Sequence, residues 1–281
     1  MNLNCITIKT RPLLPPQDDI FPILDQYLPA LQEKDVLIIT SKVLAIHQGR
    51  CIKITDKVNK DDLIKQEADQ FIPRERVPNQ SVVLSIKGNT LIPSSGIDES
   101  NADGHYILWP ENPTFLAKQI CQYLKQKHGL TDLAVIVTDS HTTPLRWGVL
   151  GISIGFFGLE PLRDYRGTPD IFGRKLKMTQ QNVVDMLAVL GVAAMGEGNE
   201  QTPMAIIRGV DFVRFTDKDT YDKFIIPKDQ DIYKPLLEEF HSWRQVRKVT
   251  RFLCASATRV WPDGRPTGFG YTSARPNVVG T

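Results

Sequence analysis

The chain has 281 residues, 41% of them apolar and 23% charged, with 34 basic against 32 acidic side chains and a net charge of +2. These values describe a soluble globular protein and exclude a disordered, collagen-like or coiled-coil chain. No basic stripe dominates, so no nucleic-acid surface is expected. No run of about 18 apolar residues is present to span a bilayer.

The first 16 residues lack the roughly 7–15-residue apolar core of a signal peptide. Val36-Leu37-Ile38-Ile39 reads as a buried strand with a polar exit at Thr40-Ser41-Lys42. From Asp61 to Ile72 the spacing of Leu63, Ile64, Ala68, Phe71 and Ile72 predicts one helical face. Ser81–Ile86 reads as a strand. Asn112-Pro113 predicts a helix start, because Asn caps well and a proline at the first helical position loses no hydrogen bond. Leu116, Ile120, Tyr123 and Leu124 form the stripe of that helix and Gly129 its stop. Leu133–Thr138 follows as a buried strand that delivers Asp139 into a loop.

Residues 147–158 alternate glycine with bulky apolar side chains and read as a buried strand and turn. Thr179 is the expected cap of a second helix carrying Val183, Leu187, Leu190 and Ala194. A glycine-rich loop, 195–203, and a strand at 205–207 come next. A helix interrupted near Pro235 is expected within 230–253, and 255–281 reads as an extended tail. Strands and helices mix without strict alternation, which predicts an α+β fold with mixed sheets and packed helices. Residues 1–215 form the expected catalytic region, divisible into 1–90 plus 190–215 and 91–189. Residues 216–281 form a C-terminal helical extension and tail.

Three carboxylates sit in small-residue segments beside element ends: Asp98, Asp139 and Glu197. Oxygen donors of this kind suit Mg²⁺ or Mn²⁺, and glycine lets backbone N–H groups approach a phosphate. Any one such segment is also what a tight turn requires. The P-loop and G-x-G-x-x-G signatures are missing. Arg146, Arg163, Arg166 and Arg174 follow Asp139 and suit a small anionic ligand or a solvated basic surface. The five histidines have no metal-ligand spacing, although His141 lies two residues from Asp139. The four scattered cysteines offer no metal knuckle and suit a reduced, cytoplasmic chain.

An ordered set of segments carries a resemblance. It runs Asp35-Val36-Leu37, Ser41-Lys42, Gly49-Arg50, Gly96-Ile97-Asp98-Glu99-Ser100-Asn101 and Thr138-Asp139-Ser140. It continues with Arg146 and Gly148, Asp164-Tyr165-Arg166-Gly167, Asp170, Gly173-Arg174-Lys175-Leu176 and Met195-Gly196-Glu197-Gly198. Together, across about residues 3–213, they resemble the coenzyme F420-0:L-glutamate ligase family, which extends to proposed folate glutamate ligases.

The resemblance implies an intertwined homodimer with its site near the subunit interface. It implies GTP or ATP, two Mg²⁺ or Mn²⁺ ions, and admits K⁺. L-glutamate and a folate- or F420-type acceptor would be the partners. Carried over by position, Asp98 and Asp139 would hold one metal, and Ser140 and Glu197 the second. Arg11, Pro12, Leu13, Leu14, Ser41, Lys42, Asn101, Met195, Gly196, Gly198 and Asn199 would contact the nucleotide. Asp98, Asp139 and Arg146 would be catalytic.

Two basic positions of the family are lost: Thr142-Thr143 stands where Gly-Arg is usual, and Ile46 where a basic residue is usual. The expected reaction is amide formation through an acyl phosphate. A metal-dependent phosphohydrolase and a non-catalytic nucleotide-binding relative are the competing readings.

Overall fold

The computed structural model describes residues 2–242. In chain order it contains β1 (Asn4–Ile8), α1 (Ile20–Tyr27), β2 (Asp35–Thr40), α2 (Ser41–His47), β3 (Cys51–Lys53), α3 (Lys60–Glu67), β4 (Gln70–Ile72), β5 (Leu84–Lys87), β6 (Thr90–Pro93), β7 (His105–Ile107), α4 (Pro113–His128), β8 (Leu133–Thr142), β9 (Val149–Phe157), β10 (Leu162–Asp164), β11 (Gln180–Asn182), α5 (Val183–Met195), β12 (Met204–Arg208) and α6 (Lys234–Leu237).

The central sheet has the order β1-β12-β2-β8-β9. Only β2 and β8 run parallel, and the other pairs are antiparallel. The sheet is therefore mixed, as the α+β expectation required. Strand alternation splits its apolar residues between two cores. Leu37, Ile39, Val135, Val137 and Ile206 face α1, α2 and α4, whereas Val36, Ile38, Ala134, Ile136 and Ile207 face α5. Both faces are covered, so β2, β8 and β12 are almost uninterrupted runs of apolar residues. A third core, with Ile64, Phe71, Val83, Ile97, Tyr106 and Leu108, lies under the small sheets β4-β5-β6 and β3-β7.

Local chemistry fixes the element ends. Asn112 caps α4 by accepting from Phe115 N, Pro113 opens the helix, and Gly129 closes it in the left-handed region. Leu116, Ile120 and Leu124 are buried as the stripe requires. Asp35 is buried at the start of β2, where Arg208 grips it with two hydrogen bonds of 2.8 and 3.1 Å.

Several expectations are corrected. The polar exit of β2 at Thr40-Ser41-Lys42 runs straight into a helix, with Ser41 beginning α2. The helix from Asp61 stops at Glu67, since Ala68 is extended; Phe71 reaches the same core from β4. The strand expected at Ser81 begins at Leu84. Asn182 rather than Thr179 caps α5, accepting from Asp185 N. The buried face of α5 includes Val184, Ala188, Gly191 and Val192, and Ala194 is exposed. Strand β9 is buried only from Gly151 onward, while Trp147, Val149 and Leu150 are exposed. Pro235 lies inside the first turn of the short α6 instead of interrupting a longer helix. The rest of that expected helix, the tail and Cys254 lie outside the described residues. Cys5, Cys51 and Cys121 are free. Among the described residues no helix is long and apolar enough to cross a membrane.

Candidate active site

A cavity of about 850 Å³ opens beyond the C-terminal ends of the parallel pair β2 and β8. Ends of parallel strands are where open sheets commonly place ligands. Its walls come from the segment after β1, the start of α2, the segment after β6, the end of β8 and the loop after α5.

Asp139 lies within β8, not in a loop after it. Between Val137 and Thr138 the pairing with β9 shifts by one residue, with Ile154 as the extra one. Such an irregularity twists the strand and re-aims the side chains beyond it. Alternation then sends Asp139 and Ser140 in opposite directions. Asp139 turns toward the segment that carries Asp98, and Ser140 toward the loop after α5. The Ser140 hydroxyl donates to Glu197 Oε1 at 2.7 Å. Asp139 Oδ1 accepts from its neighbour's backbone, Ser140 N, at 2.7 Å, and Oδ2 accepts from the Trp109 indole N–H.

The Asp98 segment is a tight polar turn. Asp98 Oδ1 accepts from the backbone N–H groups of Glu99 and Ser100, and Oδ2 accepts from the Ser100 hydroxyl. Lys42, on the first turn of α2, pairs with Asp98 Oδ2 at 2.7 Å and donates to Ser100 O at 2.8 Å. The Asn101 side chain donates to Gly198 O, joining the Asp98 segment to the Glu197 loop. That loop is pinned near its C-terminal end, by Thr10 N on Gln201 O and Thr40 N on Pro203 O, each at 3.0 Å. Gly196 takes φ +81°, and a Cβ there would overlap the Glu200 carboxylate. Glu200 in turn accepts from Gly198 N at 2.8 Å and folds the loop.

The two central carboxylates have different electrostatics. Burial pushes the Asp139 carboxyl up to about 6, and the Asp98 charge adds to the rise. Burial alone would also raise Asp98, but the Lys42 ammonium and the Ser100 donors outweigh it and hold its carboxyl below the usual range. Asp139 is thus a negative charge held at a cost, with no cationic side chain bonded to it.

Of the residues named from sequence, Asp98, Asp139, Ser140, Glu197, Arg11 to Leu14, Ser41, Lys42, Asn101, Met195, Gly196, Gly198 and Asn199 all line this cavity. Arg146 does not. It follows ten-residue β8 in a turn outside the lining, where its guanidinium donates to Leu145 O and its backbone N–H to Thr143 O. Arg166 is held by Asp164 and Arg163 lies over Tyr165. His141 lies outside the lining, and burial lowers its imidazole. Ile46 is buried in the cavity wall, apolar where a positive charge would be usual. Trp109 is not among the residues that sequence reasoning singles out, although the glycine at 96 is a trace of it.

Among the described residues, no three His, Cys, Asp or Glu side chains form a ready metal cluster. The donors come instead as two pairs, Asp98 with Asp139 and Ser140 with Glu197. An all-oxygen set of this size suits a hard cation that completes its shell with phosphate oxygens and water.

The fold and cavity define an α+β protein with a pocket lined by Asp98, Asp139 and Glu197 at the ends of a parallel strand pair. A family model described as F420-0:Gamma-glutamyl ligase matches residues 8–209, and the chain belongs to this family. It is similar to the coenzyme F420:L-glutamate ligase of Methanopyrus kandleri, 30% identical over 253 residues covering 84% of this chain and 89% of the relative. The enzymes of that name from Methanosarcina mazei and Methanothermobacter thermautotrophicus are each 28% identical. Each match covers 83% of this chain, with 96% and 100% of the relative, respectively.

Proposed function

We propose that this protein is a nucleotide-dependent glutamate ligase that forms an amide between L-glutamate and a carboxylate of a coenzyme F420-type acceptor. The observation that carries the reading is the meeting of the Asp98, Asp139 and Glu197 segments with segments 11–14 and 41–42 around one cavity.

Joining a carboxylate to an amine in water is uphill. GTP or ATP would transfer its terminal phosphoryl group to the acceptor carboxylate, and the glutamate amine would displace phosphate from the acyl phosphate. Two divalent cations, when bound, would neutralise charge on the phosphates. Asp98 and Asp139 would hold one, and Ser140 with Glu197 the other. Lys42 places an ammonium beside the same oxygens, where it can orient a phosphate. Segment 195–199 also lines the cavity, tied to the Asp98 segment by the Asn101 bridge.

A homodimer belongs to this reading. Leu145, Trp147, Ile171, Phe172 and Met178 are each more than 85% exposed, a density of bare apolar side chains that suits a second copy of the chain. Arg146, in the same projecting turn, would then serve the second copy's cavity.

Ile46 in the cavity wall favours a less anionic, folate-like acceptor as the second reading. The test is incubation with GTP or ATP, Mg²⁺ or Mn²⁺, glutamate and each acceptor, followed by mass spectrometry. A glutamyl mass increment on one acceptor is expected. Phosphate release independent of glutamate, with no increment on either, would make the protein a phosphohydrolase instead.

A further inference from the structure

The indole of Trp109 touches both acidic segments of the cavity. Trp109 follows β7 and precedes α4, and it is only 4% exposed. Its N–H donates to Asp139 Oδ2. The same ring edge lies on Gly96, at φ +70°, where a Cβ would overlap Nε1, Cδ1 and Cε2. Gly96 is two residues from Asp98. The Asp98 backbone pairs both ways with Ile107, two residues before Trp109, at 3.1 and 2.8 Å. One ring therefore spans the distance from the Asp98 segment to Asp139.

The indole is braced from behind. Arg50 Nε donates to the Trp109 carbonyl at 3.1 Å, and Arg50 Nη2 holds Glu67 at 2.7 Å. Lys87, paired with the same Glu67, places its ammonium 5.8 Å from the indole centroid. These groups line a second cavity of about 500 Å³, with Trp109 among its lining residues. The charges of Arg50 and Lys87 are thus engaged with Glu67 and not with Asp139. What reaches Asp139 is a neutral donor, which fixes the carboxylate without cancelling its charge.

We propose that Trp109 is a positioning residue for the divalent-cation site, holding Asp139 in one orientation through Oδ2 and spacing it from the Asp98 segment through the ring. This rests on the reading of Asp98 and Asp139 as cation ligands. Hydrogen-bond partners of metal ligands typically contribute about 10–100-fold in metal affinity. Gly96 is then required twice, for its backbone conformation and for the room it gives the indole.

The test uses Mn²⁺ binding to the full-length, nucleotide-free protein, followed through the signal of free Mn²⁺. Trp109→Phe keeps an aromatic ring against Gly96 and removes the donor. Mn²⁺ affinity should fall about 10–100-fold, and a cooperative thermal transition should remain.

A second measurement needs no folded variant at position 109. In wild-type protein with ¹⁵N-labelled indoles, the Trp109 resonance is assigned by replacing Trp147, Trp243 and Trp261 in turn. Substoichiometric Mn²⁺ should broaden that resonance first. Equal Mn²⁺ affinity in wild type and a folded Trp109→Phe, or a Trp109 resonance untouched by bound Mn²⁺, would overturn the proposal and leave the cation site standing. No Mn²⁺ binding by wild type would remove the site and the proposal together.

Discussion

The Asn101 side chain donates to the carbonyl of Gly198 at 2.9 Å and joins two segments 97 residues apart in sequence. One carries Asp98 and the other Glu197, so a single amide sets the gap between the two acidic pairs. Asn101 also sits at φ +50°, which asparagine tolerates better than most residues. Asn101→Gly keeps that backbone accessible and deletes the bridge. A lost hydrogen bond of about 1 kcal/mol corresponds to a roughly fivefold rise in nucleotide KM. Steady-state kinetics should show this with kcat little changed.

Asp139 makes a prediction about stability as well as activity. Unfolded, its carboxyl ionises near 3.8; folded, burial first and Asp98 second push it up to about 6. Well below pH 3.8 both states are protonated and the site costs nothing. As pH rises toward 6 the unfolded chain ionises first and stability falls, by about 1.4 kcal/mol for each pH unit between the two values. Asp139→Asn should therefore narrow or reverse any stability deficit as pH rises from 4 to 7 in the presence of a chelator. Thermal melts across that range would show it. The same variant should lose turnover by roughly 100–1,000-fold.

Glu197 and Glu200 share a loop and differ in what they touch. Glu197 meets Ser140 across the cavity, whereas Glu200 accepts from Gly198 N within the loop. Glutamine can still accept at position 200, but at 197 it removes a charge. Glu197→Gln should reduce metal-dependent turnover far more than Glu200→Gln. Equal losses in a metal titration would mean that total loop charge matters and not the position of Glu197.

Ile120 is buried on α4 against the central sheet. Ile120→Ala leaves a cavity that neighbours fill only partly, a cost of about 2–5 kcal/mol. Chemical denaturation should show that loss while nucleotide affinity of the folded fraction stays at the wild-type value.

The projecting turn makes an assembly prediction. Trp147→Glu combined with Phe172→Glu should convert a dimer to a monomer in light scattering, since a charge would be buried where bare apolar side chains meet. A wild-type protein that is monomeric at micromolar concentration would contradict the homodimer.

The sheet strands and α4 are legible in the sequence because local chemistry and tertiary need agree there. Apolar runs at 36–39 and 133–137 are buried on both faces, and Asn112, Pro113 and Gly129 are caps in the structure as in the sequence. Boundaries slip where an apolar pattern continues through a change of element. Phe71 keeps helical spacing from Ile64 yet belongs to β4, and both side chains fill the same core. The acidic residues of the cavity stand out because each sits among small residues, Asp139 between Thr138 and Ser140 within β8. Trp109 does not, because an aromatic residue before a proline reads as ordinary core until Asp139 is seen to receive its N–H. Arg146 draws attention by its charge, but the length of β8, which no residue type announces, takes it away from its own chain's cavity.

Strand β12 lies between β1 and β2, although it is the last strand of the described residues to be synthesised. The Glu197 loop ends where β12 begins, and its anchors at Thr10 and Thr40 are the exits of the two strands that β12 separates. A nascent chain that has not yet released residue 208 has Asp98 and Asp139 but lacks the pocket wall formed by the anchored loop after α5. Closure of the sheet and completion of the site are thus a single event late in synthesis. Growing chains on the ribosome would have no enclosed pocket.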